Sequence, residues 1–243
     1  MIKNNTWTAN VVTLFPEMFP GSLSYSLTGK ALKNNLWNLK TYNLRKFANG
    51  KRKTVDGPSA GGGAGQILKA DVLDKAIVHI IESNSNCDRN SWPIVALSPR
   101  GKVFSQTEAL HFSKCKGITF ICGRYEGIDE RFLKLHNIPE LSLGDFILSG
   151  GELAAQVLID SIVRLIPGVL GNHKSLEEES FVNYLLEYPQ YTSPKEWKNL
   201  CIPEELLSGH HQKIKKWRLN KSEEITKKRR PDLWERHKSL RNH

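Results

Sequence analysis

An α/β layer structure on a mainly parallel sheet, followed by a small basic helical region, is the fold class this sequence predicts, and three observations carry it. Short apolar runs alternate with stretches of helical periodicity as far as Ile166. Glycine-bearing turns follow the apolar runs, at residues 98–101, 123–127 and 142–151. Beyond Gly171 the pattern changes to polar and then basic sequence without strand-like runs. A chain of 243 residues is long enough for one large domain and a small one.

Residues 11–15 (VVTLF), closed by Pro16, read as a buried strand, and 37–43 alternate in the manner of a second. Asp56 and residues 57–65 form a long, permissive glycine loop. Val72, Leu73, Ala76, Ile77 and Ile80 recur at helical spacing, so 70–83 is a helix. Residues 94–97 form an apolar strand stopped by Ser98-Pro99-Arg100-Gly101. Ser105 and Glu108 have the spacing of a capping box, in which each side chain satisfies a backbone N–H at a helix start; a short helix to about Cys115 follows. Residues 118–122 form another central strand, closed by Gly123-Arg124-Tyr125-Glu126-Gly127. Residues 141–148 mix strand and turn, and Ser149-Gly150-Gly151-Glu152 leads into an apolar helix over 153–166, stopped by Pro167-Gly168. Around 171–187 no core face exists, which reads as a linker or mobile loop. Residues 203–207, 211–220 and 222–229 read as short basic helices.

Composition limits the function. Apolar residues make up 39% of the chain, yet no stretch approaches the ~20 apolar residues of a membrane span, so a soluble protein is expected. Residues 1–5 lack a basic region followed by an apolar run, which predicts neither secretory signal nor anchor. Cys87, Cys115, Cys122 and Cys201 are scattered without a Cys-x-x-Cys, as expected of reduced thiols in a cytoplasmic protein. The net charge of +10 is concentrated. Residues 30–53 hold eight basic and no acidic side chains, and 195–243 hold fourteen basic and seven acidic. Two basic surfaces point to a polyanionic partner, because neutralising phosphates releases condensed counterions; the alternative is a pair of solvated faces.

Glycine loops beyond strand ends let backbone approach a ligand, and three in succession imply a small-molecule pocket, although any one alone fits a tight turn. The pocket is not an ordinary dinucleotide site, because Gly61-Gly62-Gly63-Ala64-Gly65-Gln66 fails the Gly-x-Gly-x-x-Gly spacing. It is not a P-loop either, since Gly65 precedes Gln66-Ile67 rather than Lys-Ser/Thr. No Cys or His spacing suits zinc, and the adjacent His210-His211 fit surface or RNA contact better than a metal.

Together these motifs resemble the bacterial tRNA guanine-N1 methyltransferases of the TrmD family, within the knotted SPOUT class. The resemblance runs nearly end to end and is carried by Leu14-Phe15-Pro16, the 56–65 loop, Leu97-Ser98-Pro99-Arg100-Gly101 and Gly123-Arg124-Tyr125-Glu126-Gly127-Ile128-Asp129. It continues through Leu148-Ser149-Gly150-Gly151-Glu152, Leu185-Leu186-Glu187-Tyr188-Pro189-Gln190-Tyr191-Thr192 and Ser208-Gly209-His210-His211 with Lys216-Trp217-Arg218. It implies methyl transfer from S-adenosyl-L-methionine to N1 of guanosine 37 of tRNA, 3′ of the anticodon. It further implies a deep trefoil knot and a homodimer with the active site at the subunit interface. The domains it implies are a knotted cofactor-binding domain (1–170), a flexible linker (171–187) and an all-α tRNA-binding domain (188–243).

The cofactor residues it implies are Leu97, Ser98, Pro99, Gly123, Tyr125, Glu126, Leu143, Gly144, Asp145, Phe146, Ile147, Leu148, Gly150 and Gly151. N1 of guanine must lose a proton to become a nucleophile, and the charge developing on O6 calls for a cation. By resemblance the base is Glu179 and the cation Arg164, with Glu178 the alternative base and an Asp160–Arg164 helix pair the alternative role for the arginine. His210, His211, Lys216 and Arg218 are the implied tRNA contacts. Family members respond to magnesium (Mg2+), although no ligand cluster in this sequence identifies a site. The chain departs from the usual pattern at Glu179, commonly Asp, at Tyr184, commonly Gly, and at Ser193, commonly Arg. Rival readings are an rRNA methyltransferase of the same class and a non-catalytic RNA-binding protein.

Overall fold

The computed structural model describes residues 6–83, 88–171, 176 and 178–241. The expectations at residues 1–5, Cys87, 172–175 and Glu177 lie outside the described residues. The chain divides into two compact units, Met1–Gly171 and Asn172–His243.

The strands of the first unit are β1 (Trp7–Thr13), β2 (Trp37–Asn43), β3 (Asp56–Pro58), β4 (Gln66–Leu68), β5 (Ile94–Val103), β6 (Gly117–Cys122) and β7 (Glu140–Ser142). Its helices are α1 (Ser26–Lys33), α2 (Ala70–Ser83), α3 (Gln106–Ser113), α4 (Glu130–Leu135) and α5 (Gly151–Val163). Five strands form one sheet in the order β2-β1-β6-β5-β7, and every pairing in it is parallel. Parallel neighbours need crossover connections, which cover both faces of the sheet and bury its strands. On one face Trp7, Ala9, Val11, Ile118 and Phe120 pack with Phe112 of α3 and Leu158, Ile159 and Ile162 of α5. On the other, Val12, Ile94, Ala96 and Ile121 pack with Leu73, Ala76, Ile77 and Ile80 of α2 and Phe132 of α4. Each fully buried aliphatic or aromatic side chain of this set contributes roughly 1.5–3 kcal/mol.

Three expectations change here. The first strand runs over Trp7–Thr13 instead of 11–15, because the polar residues within it are buried and bonded: Asn10 Nδ2 donates to Thr119 Oγ1 at 3.4 Å and Thr13 Oγ1 to Glu152 Oε1 at 2.7 Å. The glycine loop has strands at its base, where β3 and β4 pair antiparallel. The helix after Ser105 forms, but the capping box does not close: Ser105 Oγ donates to Glu108 Oε2 at 2.5 Å, and Lys102 Nζ binds the other carboxylate oxygen at 2.5 Å.

The second unit contains α6 (Glu204–Leu207), α7 (His211–Arg229) and α8 (Pro231–Arg241), together with a two-stranded antiparallel ladder of β8 (Glu196–Trp197) and β9 (Leu200–Cys201). The ladder means the unit is not all-α. The helix α7 continues through Lys221, in place of the two helices expected. Its buried positions are Ser222 and Thr226, so no apolar stripe marks its continuity in the sequence. Residues 178–187, expected as linker, are hydrogen-bonded to this unit: Thr226 Oγ1 accepts from Leu186 N at 2.8 Å, and His237 Nδ1 lies 2.8 Å from the Asn183 carbonyl.

Candidate functional site

The strand β5 does not end at Leu97. Leu97 and Lys102 both pair with Leu141 of β7, so Ser98-Pro99-Arg100-Gly101 leaves the ladder and returns to it. Gly101 is required at the point of return, where a Cβ would collide with the backbone of Glu140 and Leu141. Arg100 braces the excursion, with Nη2 2.8 Å from Glu140 Oε1 and 3.2 Å from Glu130 Oε2.

The turn after β6 is fixed by the β3–β4 hairpin: Glu126 N donates to the Gln66 carbonyl at 2.9 Å, and Leu68 N to the Gly127 carbonyl at 3.0 Å. Tyr125 is held at φ 58, a conformation that residues with a Cβ adopt only under such constraint. The third loop, after β7, ends by laying the start of α5 on the end of β6. Gly151 N donates to the Gly123 carbonyl at 2.9 Å, and a Cβ on Gly151 would meet Cys122 Cα at 2.7 Å.

These loops and the hairpin enclose a cavity of about 980 Å³. Its lining is largely apolar, with backbone amides and carbonyls from three loops and charged side chains of both signs, Glu126, Asp129, Glu130 and Glu140 with Lys69, Arg100, Arg124 and Arg131. Such a mixture suits a ligand with a flat apolar part and several polar or charged groups. Phe146, Ile147 and Leu148 are exposed in succession along the lining.

Behind the cavity lies a buried ion pair. Glu152, 1% exposed in its side chain, accepts from Arg124 Nε at 2.8 Å, while Arg124 is 19% exposed. Thr13 Oγ1 donates to the second Glu152 oxygen at 2.7 Å, Arg124 Nη1 donates to the Ser149 carbonyl at 3.1 Å, and the guanidinium lies 4.4 Å above the Phe15 ring. One arginine thereby ties β1, the turn after β6, the third loop and α5 together. The thiol of Cys122 is pushed well above its ordinary pKa, by burial first and the Glu152 carboxylate second, with Arg124 opposing. Cys122 is therefore a neutral packing group, not a nucleophile.

A family model described as tRNA (Guanine-1)-methyltransferase TrmD matches residues 8–236. The chain belongs to the TrmD family. A tRNA (guanine-N(1)-)-methyltransferase of Ruegeria sp. (strain TM1040) is 57% identical over 228 residues, 94% of this chain and 92% of the relative. The protein of that name from Pelagibacter ubique (strain HTCC1062) is 55% identical over 96% of this chain and 99% of its own length. That from Zymomonas mobilis subsp. mobilis (strain ATCC 31821 / ZM4 / CP4) is 49% identical over 98% and 93%.

Every cofactor residue that the TrmD resemblance implies lines the cavity except Asp145, which is exposed in the turn and is not part of the lining. Arg164 follows the last turn of α5, in the first unit, and its N–H donates to the Asp160 carbonyl at 3.2 Å. The Asp160 carboxylate accepts from Thr28 Oγ1 at 2.6 Å. Glu179 lies half-buried in the second unit, where its carbonyl accepts from Val182 N at 3.3 Å. His210 and His211 are exposed at the start of α7 and Lys216 is exposed further along it, whereas Arg218 is drawn onto Glu178 at 2.9 Å.

Sequence reasoning assigned no role to the hairpin residues Gly57, Pro58, Ile67 and Lys69, which line the cavity, or to the Arg124–Glu152 pair. One signal for the pair was present: Glu152 is a charge in the first turn of a helix rich in apolar residues. No group of His, Cys, Asp and Glu suited to a metal ion exists among the described residues, and no helix among them is long and apolar enough to cross a membrane.

Proposed function

We infer that this protein methylates N1 of guanosine 37 in tRNA, 3′ of the anticodon, using S-adenosyl-L-methionine and supporting maintenance of the reading frame. The observation that carries this reading is the three-loop cavity, built from the residues the family uses for its cofactor, in a chain whose relatives carry the name tRNA (guanine-N(1)-)-methyltransferase. The cofactor fits the donor set: the apolar lining and loop backbone suit the adenosine, and Glu126 offers negative charge to its cationic centre, whereas Asp129 and Glu130 are engaged by Arg131 and Arg100. When bound, S-adenosylmethionine supplies an electrophilic methyl group on a sulfonium. Glu179 takes the proton from N1 of guanine and so frees a lone pair for attack. Arg164 bears on O6, where charge accumulates as that proton leaves. His210, His211 and Lys216 contact the anticodon arm, together with the basic segment 30–53.

The finer organisation follows the family. Residues 1–170 form the knotted domain, a reading that rests on membership of the family. Residues 188–243 bind tRNA, and 171–187 connect the two domains. A homodimer is supported by the exposed Leu153 and Val157 on α5, a helix whose other apolar positions are buried. The protein works in the cytoplasm, where its substrate is found.

The test is methyl transfer from radiolabelled S-adenosylmethionine to an unmodified tRNA transcript. Label should appear with guanosine at position 37 and vanish when that base is adenosine; label retained in the adenosine transcript would overturn the positional claim. Glu179→Gln should abolish transfer, and Arg164→Ala should depress turnover far more than melting temperature.

A further inference from the structure

Glu178 adjoins the carboxylate assigned to proton transfer, and its own carboxylate is already engaged. Its Oε2 accepts from the Tyr188 hydroxyl at 2.6 Å and from Arg218 Nη1 at 2.9 Å. The Arg218 guanidinium also lies 4.8 Å above the Tyr188 ring, and its Nε is buried without a hydrogen-bond partner among the described residues. Protein contacts thus set the orientation of this guanidinium. The Tyr188 phenol is pushed above its ordinary pKa, by burial first and then by its hydrogen bond to Glu178, so the hydroxyl stays a donor across the neutral range.

The segment that follows is held at further points on the same unit. Ser180 Oγ accepts from Glu187 N at 3.0 Å, and the fully buried Thr226 accepts from Leu186 N at 2.8 Å. His237 Nδ1 lies 2.8 Å from the Asn183 carbonyl, so this ring nitrogen carries the proton it donates there. Between these anchors the backbone is left-handed at Phe181 (φ 79), Asn183 (φ 50) and Tyr184 (φ 60). Side chains with a Cβ disfavour that region, and such a turn persists only when its surroundings over-determine it. The determinants are side chains of α7 and α8 and the residues just after the turn.

We propose that Arg218 and Tyr188 are positioning residues for methyl transfer: by gripping Glu178 they fix the backbone from which Glu179 reaches the guanine. The proposal rests on Glu179 as the base. It removes Glu178 from contention for that role, and it takes Arg218 from the direct tRNA contacts into the scaffold behind the base. General-base catalysis depends steeply on placement, so a loosened loop costs rate while tRNA binding through the other basic residues persists.

The test is single-turnover methyl transfer by the full-length protein across tRNA concentrations, with amide hydrogen exchange over residues 182–187. Tyr188→Phe, which keeps the ring and hence the packing, and Arg218→Ala should each lower the saturated rate by about ten- to a hundred-fold. They should leave the half-saturating tRNA concentration within about two-fold and should speed exchange at Leu186 and Glu187. Arg218→Lys should recover part of the rate, and Glu178→Ala combined with Arg218→Ala should be no slower than the slower single variant, because the two act as one unit. A raised half-saturating concentration at unchanged saturated rate in Arg218→Ala would return that residue to direct tRNA contact and overturn the proposal. So would unaltered rates in both Tyr188→Phe and Arg218→Ala. Full activity in Glu179→Gln would remove the base assignment, and the proposal with it; this result is distinct from an idle clamp, for which Glu179→Gln is inactive.

Discussion

Arg124 and Glu152 illustrate what one pair of side chains decides. Removing a single partner leaves an uncompensated charge against the core, so Glu152→Ala should destabilise the protein by roughly 3–5 kcal/mol in chemical denaturation. Arg124→Met with Glu152→Leu should cost clearly less than Glu152→Ala alone, since neither charge is then stranded. The same double change should still weaken cofactor binding, because Arg124 also holds the Ser149 carbonyl of the third loop. Gly151 acts by having no side chain. Gly151→Ala would push α5 off Cys122 Cα, and isothermal titration should show cofactor affinity reduced by at least about ten-fold.

Single elements carry the next level. The strand β5 serves both as a sheet member and as a ligand loop, because its four-residue excursion starts and ends on the same partner, Leu141. The Ser-Pro-Arg-Gly sequence was legible as a turn; its return to the ladder was not, because pairing of Lys102 and Val103 depends on β7, some forty residues later. Likewise Asp56-Gly57-Pro58 reads as loop, and only the partner residues Gln66–Leu68 make it a strand. The helix α5 is buried along most of its length but exposes Leu153 and Val157. Leu153→Asp with Val157→Asp should shift a dimer to monomer in sedimentation velocity without unfolding the protein, because both side chains already face outward. An unchanged sedimentation coefficient would mean that this face is not the dimer surface.

For the whole molecule, the +10 charge has two centres. Lys51, Arg52 and Lys53 are exposed in the first unit, and the exposed Lys213, Lys215 and Lys216 lie on α7 in the second. If phosphate contacts position the tRNA while the pocket reads the base, charge reversal at 51–53 should weaken tRNA binding. It should also flatten the dependence of log K on log salt by about one unit for each phosphate no longer neutralised, while cofactor affinity stays unchanged. A salt slope equal to that of the parent protein would make the segment a solvated face.

The sequence by itself determined the sheet class, the helices at 70–83 and after Gly151, and the loops that line the cavity. Apolar periodicity and glycine placement are local properties, written within a few residues of where they act. The tertiary structure alone decided the β5 return, the hairpin wall of the cavity, the buried Arg124–Glu152 pair and the grip of Arg218 and Tyr188 on Glu178. The physical reason is common to all four: each is a pairing between groups of compatible charge or hydrogen-bonding capacity that lie far enough apart along the chain to have many candidate partners. Only the packing of α5 on the sheet, of β4 on the turn after β6, and of residues 178–188 on α7 selects one partner for each.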